Sequence, residues 1–277
     1  MAGLIEILME PFMVRAMLGI VFSGVATLPV IFSSFRGLGY MPAEVSHAAL
    51  AGAAVGVFLG GILNLGIDPL IFALAFTLLS TIPIARAGER AETGRVGVVL
   101  GSVLALSVAV YAFIKGMGSS EMAARIDGFL ISDLLLLTWT DIALLALISI
   151  VTLFSILLFK KEFTYIVFDP EGASQLGLNV RFYTYFLFSL IAASGTVVAR
   201  TMGALLVHAA IMPPAAIAML LTKKLDRMLI ASFAVALVFG MVGLLISAVI
   251  QLPASGTIGL VSSLAYMVLL LFKSRKS

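Results

Sequence analysis

The 277 residues hold only two histidines, and both fall inside long uncharged runs. His47 follows Glu44 by three positions in "MPAEVSHAALAG", and His208 stands in "MGALLVHAAIMPPAAIA". On a helix, residues i and i+3 are neighbours on one face, so a carboxylate and an imidazole would meet at 44 and 47. A carboxylate oxygen with a neutral ring nitrogen suits a divalent first-row cation such as Zn²⁺, Mn²⁺ or Fe²⁺, and His208 offers one more ligand of that kind. A central ionisable group in an apolar helix costs about 2.5–3.5 kcal/mol on insertion scales, which makes each a functional hypothesis. A structural role also fits. Glu44 follows Pro42 in a first helical turn, where a carboxylate faces the positive end of the helix, and either imidazole can satisfy a carbonyl or bridge helices. No cysteine is present, which excludes thiolate ligands and disulfides.

The elements that hold these groups are written in the composition. Hydrophobic residues make up 62% of the chain and charged ones 11%, with a mean hydropathy of +1.19. Soluble domains carry about twice that share of charge. Uncharged runs at 16–35, 45–67, 69–85, 96–114, 142–159, 182–199 and 201–222, with 228–272 long enough for two, predict nine candidate crossings at about 20 residues each. Short alternating strands are absent, so the spans are expected to be helical. The reading is an all-α, polytopic transmembrane bundle of eight or nine spans, one membrane domain over 1–277, with lipid around it and no nucleic-acid partner.

Nine crossings place the termini on opposite sides. All but Arg15, Lys115, Arg125 and Arg200 of the seventeen basic residues then share one side. Basic loops are retained in the cytoplasm, which predicts an outside N-terminus and a cytoplasmic C-terminus. The other side carries Asp68, Asp127, Asp133 and Asp141, a negative face that would enrich cations within about 8–10 Å. Between the fourth and fifth spans, "ARIDGFLISDLLLLTWTD" at 124–141 is too interrupted to cross. It reads as an outer interfacial or re-entrant helix with Trp139 at headgroup depth.

Three further patterns concern packing and partners. Gly52, Gly56 and Gly60 recur at every fourth position, a stripe for close helix approach or for lining a path. Pro213 and Pro214 remove two backbone donors and predict a kink or break within the 201–222 run, and broken helices free carbonyls beside substrate routes. At 165–182, "YIVFDPEGASQLGLNVRF" reads as a short amphipathic cytoplasmic helix. Asp169 precedes Pro170 and Glu171 at its start, and Leu176 and Leu178 offer apolar contacts near its end. The chain has no GxxxxGK[ST], so nucleotide chemistry would come from another polypeptide. HExxH and GxSxG are missing, which speaks against an intramembrane hydrolase. A gradient-driven transporter or channel would need an acidic relay deep in several spans, and none is evident.

Four stretches, in register along nearly the whole chain, resemble one family: the membrane permease subunits of zinc/manganese/iron-type ABC importers. "AEVSHAALAG" resembles its SHAALPG-type segment, and "FDPEGASQLGL" its DPE…A…LGL coupling segment. "MGALLVHAAIMPPAAIA" is similar to its VGxLLVxALLxxPAA segment, and "LPASGTIGLVSSLAYMVLLL" to its final span. The resemblance implies a fold related to the vitamin B12-type importers and two copies around a central path. It also implies a separate ATP-binding subunit docked on Asp169, Pro170, Glu171, Leu176, Gly177 and Leu178, and an extracytoplasmic protein that delivers the metal. The transported cation is then cargo, with no permanently bound cofactor expected. The family commonly has an aspartate four residues before the SHA histidine. Here that position is Ala43, and the acid is Glu44 at minus three. The proline of HAALPG is Ala51, and the family does not usually carry histidine where His208 stands.

Overall fold

The computed structural model describes residues 9–63, 66–88, 93–130, 132–204 and 206–274. Glu10 precedes Pro11, whose fixed φ suits a first helical position, and α1 (Pro11–Gly24) runs into α2 (Thr27–Phe35) across a two-residue hitch. Together they make one 25-residue apolar passage. Then follow α3 (Met41–Leu63), α4 (Pro69–Gly88), α5 (Thr93–Met117), the short α6 (Ser120–Leu130) and α7 (Trp139–Leu158). Next come α8 (Lys160–Phe168), α9 (Pro170–Gln175), α10 (Val180–Met202), α11 (Val207–Leu221), α12 (Leu225–Ile250) and α13 (Ala254–Ser274). The described residues form no strand.

Eight of these passages are long and apolar enough to cross a membrane. The run at 201–222 is the exception to the nine expected spans. It is not one helix: α10 ends at Gly203, whose φ of +88° stops the helix, and α11 that follows has 15 residues. The break therefore falls at 203–206 and not at the prolines, which lie inside a continuous α11. The physical reason is that a left-handed glycine ends a helix outright. A proline removes one donor from a ladder that neighbouring helices can still support.

Two ends of the bundle can be told apart by their contacts. At one, Lys160 pairs with Asp226 (2.9 Å), Phe35 meets Phe168, and Lys273 donates to the Leu220 carbonyl. At the other, Arg200 pairs with Asp68 and Asp141, and the Ala204 N–H donates to the Phe129 carbonyl. The first is the basic end and the second the acidic end. Because Ala204 touches the acidic end and Leu220 the basic one, the 203–206 turn and α11 together still carry the chain across. Of the basic residues assigned to the first end, Arg90, Arg275 and Lys276 lie outside the described residues.

Two hydroxyl pairs join helices inside the bundle. Thr27 bonds Ser232 (3.2 Å) between α2 and α12, and Thr196 bonds Thr77 (2.9 Å) between α10 and α4. Near the basic end Phe159, Phe163, Tyr183 and Phe186 pack edge to face, with Phe163 fully buried. Only 17% of the apolar stretch of α5 is buried within the chain, against 78% for α1–α2, so α5 is peripheral.

Candidate functional site

Glu44 and His47 sit in the first two turns of α3, and the way α3 begins decides their depth. Gly37, with φ +71°, turns the chain after α2, and the Leu38 N–H folds back to the Ser33 carbonyl. Arg36 donates to the Thr184 hydroxyl (3.1 Å), one turn into α10. Val45 by contrast touches Gly195, where an added Cβ would lie 3.1 Å from Val45 Cγ1. At about 1.5 Å per residue, Gly195 stands roughly 22 Å along α10 from Val180. The start of α3 is thus lifted well above the basic end, and the pair lies inside the bundle.

Glu44 is 9% exposed, and its Oε2 has no hydrogen-bond partner. His47 is half-buried, and His208 is the second residue of α11, which packs against α3. His208 is also half-buried, and its Nδ1 makes no hydrogen bond. Buried polar atoms are normally paired, so two orphaned ligand atoms in one region are unusual. Even so, among the described residues no three His, Cys, Asp or Glu side chains converge closely enough to hold a metal ion. Glu44 and His47 share a face, His208 stands on a helix packed against theirs, and the three do not form a closed cage. Such an arrangement suits brief coordination rather than storage, since a conducting site must also release its ion.

The glycine stripe lies against α4. A Cβ on Gly52 would sit 2.5 Å from the Phe72 carbonyl oxygen and 2.7 Å from Ala73 Cα, and one on Gly56 2.9 Å from Pro69 Cα. Gly60 is half-buried one turn further on. Pro213 and Pro214 cannot donate to the carbonyls of Ala209 and Ala210, so two acceptors on α11 lose their helical donors directly after His208.

At the basic end, the predicted amphipathic helix is shorter than 165–182 suggested. Only 170–175 is α9; Asp169 caps it by accepting from the Gly172 N–H (2.9 Å), and Pro170 opens it. Gly177, at φ +82°, closes it, with the Gly177 N–H on the Ser174 carbonyl and the Leu178 N–H on the Ala173 carbonyl, both 3.0 Å. Ala173 is buried beneath, Glu171 is exposed, Leu178 packs inward and Leu176 stands 70% exposed.

The acidic end contains a feature that charge counting missed. Arg200 grips Asp68 (2.7 Å) before α4 and Asp141 (3.0 Å) in the first turn of α7, so one guanidinium ties three elements. Asp141 also completes a capping box with Thr138. Partial burial alone pushes the Asp68 carboxyl up, but the Arg200 hydrogen bonds outweigh it and hold it below the ordinary carboxylate range. The sequence signal was an arginine three residues before a helix-ending glycine, on a side with few bases. Trp139 opens α7 and is 58% exposed; α6 and a 3₁₀ turn at Leu134–Leu136 precede it, where a single interfacial helix was expected.

Comparison with known proteins places this architecture. The sequence model described as "ABC 3 transport family" matches residues 9–273. The manganese transport system membrane protein MntC of Listeria monocytogenes is 29% identical over 245 residues, which is 88% of this chain and 84% of that one. A probable iron transport system membrane protein of Haemophilus influenzae is 26% identical, covering 98% of this chain and 95% of its own length. Among solved structures, PsaBC from Streptococcus pneumoniae in complex with Fab aligns with a TM-score of 0.78 at 26% identity, over 97% of this chain and 94% of that one.

Proposed function

The chain belongs to the ABC 3 transport family, and from that premise we propose that it lines the translocation path of an ATP-driven importer for a divalent metal ion. It is a multi-pass membrane permease. The observation that carries the reading is the Glu44–His47 face, held inside a helical bundle whose relatives are named for manganese and iron transport. A carboxylate and an imidazole together bind a borderline dication, and the orphaned Glu44 Oε2 leaves a ligand atom without a competing partner.

On this reading the acidic end faces outward and receives the cation from an extracytoplasmic binding protein. The basic end faces the cytoplasm, where a separate ATP-binding subunit rests on α9. Support for that seat is local: Asp169, Pro170 and Gly177 fix a rigid one-and-a-half-turn helix that presents Glu171 and Leu176 to solvent. A second copy of the chain completes the path. Binding and hydrolysis of ATP then alternate access to the Glu44–His47 pair.

The test is ATPase activity of the reconstituted complex with its ATP-binding subunit, measured across Zn²⁺, Mn²⁺ and Fe²⁺. Stimulation by at least one dication is expected. Metal uptake that proceeds without nucleotide, or a complex that no dication stimulates, refutes the proposal.

A further inference from the structure

A cavity of about 460 Å³ lies between α2, α11, α13 and the turn at 39–40, and neither Glu44 nor His47 lines it. His208 stands at its head. Met212 and Met219 follow at one and three turns on the same face of α11, which ends where Lys273 meets Leu220 at the basic end. Tyr40, 69% exposed, and Tyr266 add hydroxyls from the opposite walls. The carbonyls of Ala209 and Ala210, deprived of donors by Pro213 and Pro214, lie in the same turn as His208.

We infer that this cavity, which runs from His208 toward the basic end, is a second station for the transported dication, with His208 as its principal ligand and Met212 beside it. The inference rests on the permease reading and deepens it. The helix that carries His208 packs against α3, so an ion leaving the Glu44–His47 face has beside it an imidazole whose Nδ1 makes no hydrogen bond. Below it stand the Met212 thioether, a weak ligand, and Ala209, whose carbonyl lacks a helical donor, and no carboxylate lines the cavity. Weak, staggered ligands let an ion enter and leave. The ligand types also discriminate. Imidazole and thioether favour Zn²⁺ and Fe²⁺ over Mn²⁺, whose preference is for carboxylate and water oxygens. The outer pair thus admits the class, and the inner station favours the later metals within it.

The experiment compares Zn²⁺ and Mn²⁺ uptake by the ATP-driven complex in proteoliposomes, with the thermal midpoint of each variant recorded. His208→Ala is expected to slow Zn²⁺ uptake about tenfold and Mn²⁺ uptake less than about twofold, with Met212→Leu giving a smaller loss in the same direction. His208→Gln, which keeps size and polarity, is expected to lose Zn²⁺ transport like the alanine variant while keeping the wild-type midpoint. Wild-type uptake of both metals by all three variants overturns the station. So does an equal loss of both metals that accompanies a lowered midpoint, since that marks a packing role. If the wild-type complex moves neither metal, the permease reading itself fails.

Discussion

At the scale of single residues, burial separates groups that the sequence alone left equivalent. The i, i+3 spacing of Glu44 and His47 was legible because helical geometry fixes it. Their depth was not, because nothing in local hydropathy shows how far along α10 the start of α3 is placed. Gly195 opposite Val45 carries that information, and it is remote in sequence. Glu44→Gln and His47→Ala are each expected to reduce metal-stimulated uptake at least about tenfold, because removing one ligand of a two-ligand face removes most of the affinity. Filter-binding uptake with a purified, correctly assembled complex checks this, and unchanged rates in both would assign the pair to structure. Gly52 gives a different expectation. Gly52→Leu forces a side chain into the Phe72 carbonyl and Ala73 backbone, a clash that costs about 1–3 kcal/mol or more and should separate α3 from α4. A lowered thermal midpoint in detergent, with no recovery on adding metal, is the measurement that identifies packing as its role.

At the scale of elements, the Arg200 clamp and α9 show how short segments set the function of long ones. Arg200 holds the starts of α4 and α7 against the end of α10, directly before the Gly203 turn that positions α11 and therefore His208. The carboxyl of Asp68 is held below its ordinary range, so its contribution to stability is present above the unfolded value near about 4 and is lost as pH falls through the lower folded value. Wild-type thermal midpoints should therefore fall as pH drops below about 4, and the Asp68→Asn curve should be flatter there. At neutral pH that variant should lose about 1 kcal/mol or less, roughly 2–4 °C, since the pair is partly exposed. A variant curve parallel to wild type would remove Asp68 from the clamp. For α9, Gly177→Val places a β-branched residue at φ +82° and should unseat Leu176 and Leu178 together. The expected outcome is ATP hydrolysis that no longer responds to metal, with the permease still folded; normal metal-stimulated activity would move the coupling surface elsewhere. The prolines teach the converse lesson. They dominate the sequence of α11 yet leave it continuous, because breaking depends on whether surrounding helices can support the lost bond.

At the scale of the whole molecule, the number of spans and the number of passages differ, and topology follows the passages. Eight long helices alone would return both termini to one side. The short α11 adds a passage, since its ends contact opposite ends of the bundle, and it restores the odd count that the apolar runs predict. On the proposed reading, the asymmetry of basic residues makes the basic end the cytoplasmic one. The chain offers a clean way to check this because it contains no cysteine, so a single introduced thiol reports without background. Ser119 and Glu10 are exposed at the acidic end, and Ser174 and Lys224 at the basic end. In intact cells, a membrane-impermeant maleimide should label Ser119→Cys and Glu10→Cys at once. Ser174→Cys and Lys224→Cys should stay protected until the membrane is opened. The four positions separate two errors. Reversal of all four would invert the molecule, whereas Glu10→Cys protected together with Ser174→Cys and Lys224→Cys would mean that one passage does not cross. The second outcome would also move His208 to the wrong leg of the path. The labelling pattern therefore constrains the inner station as well as the topology.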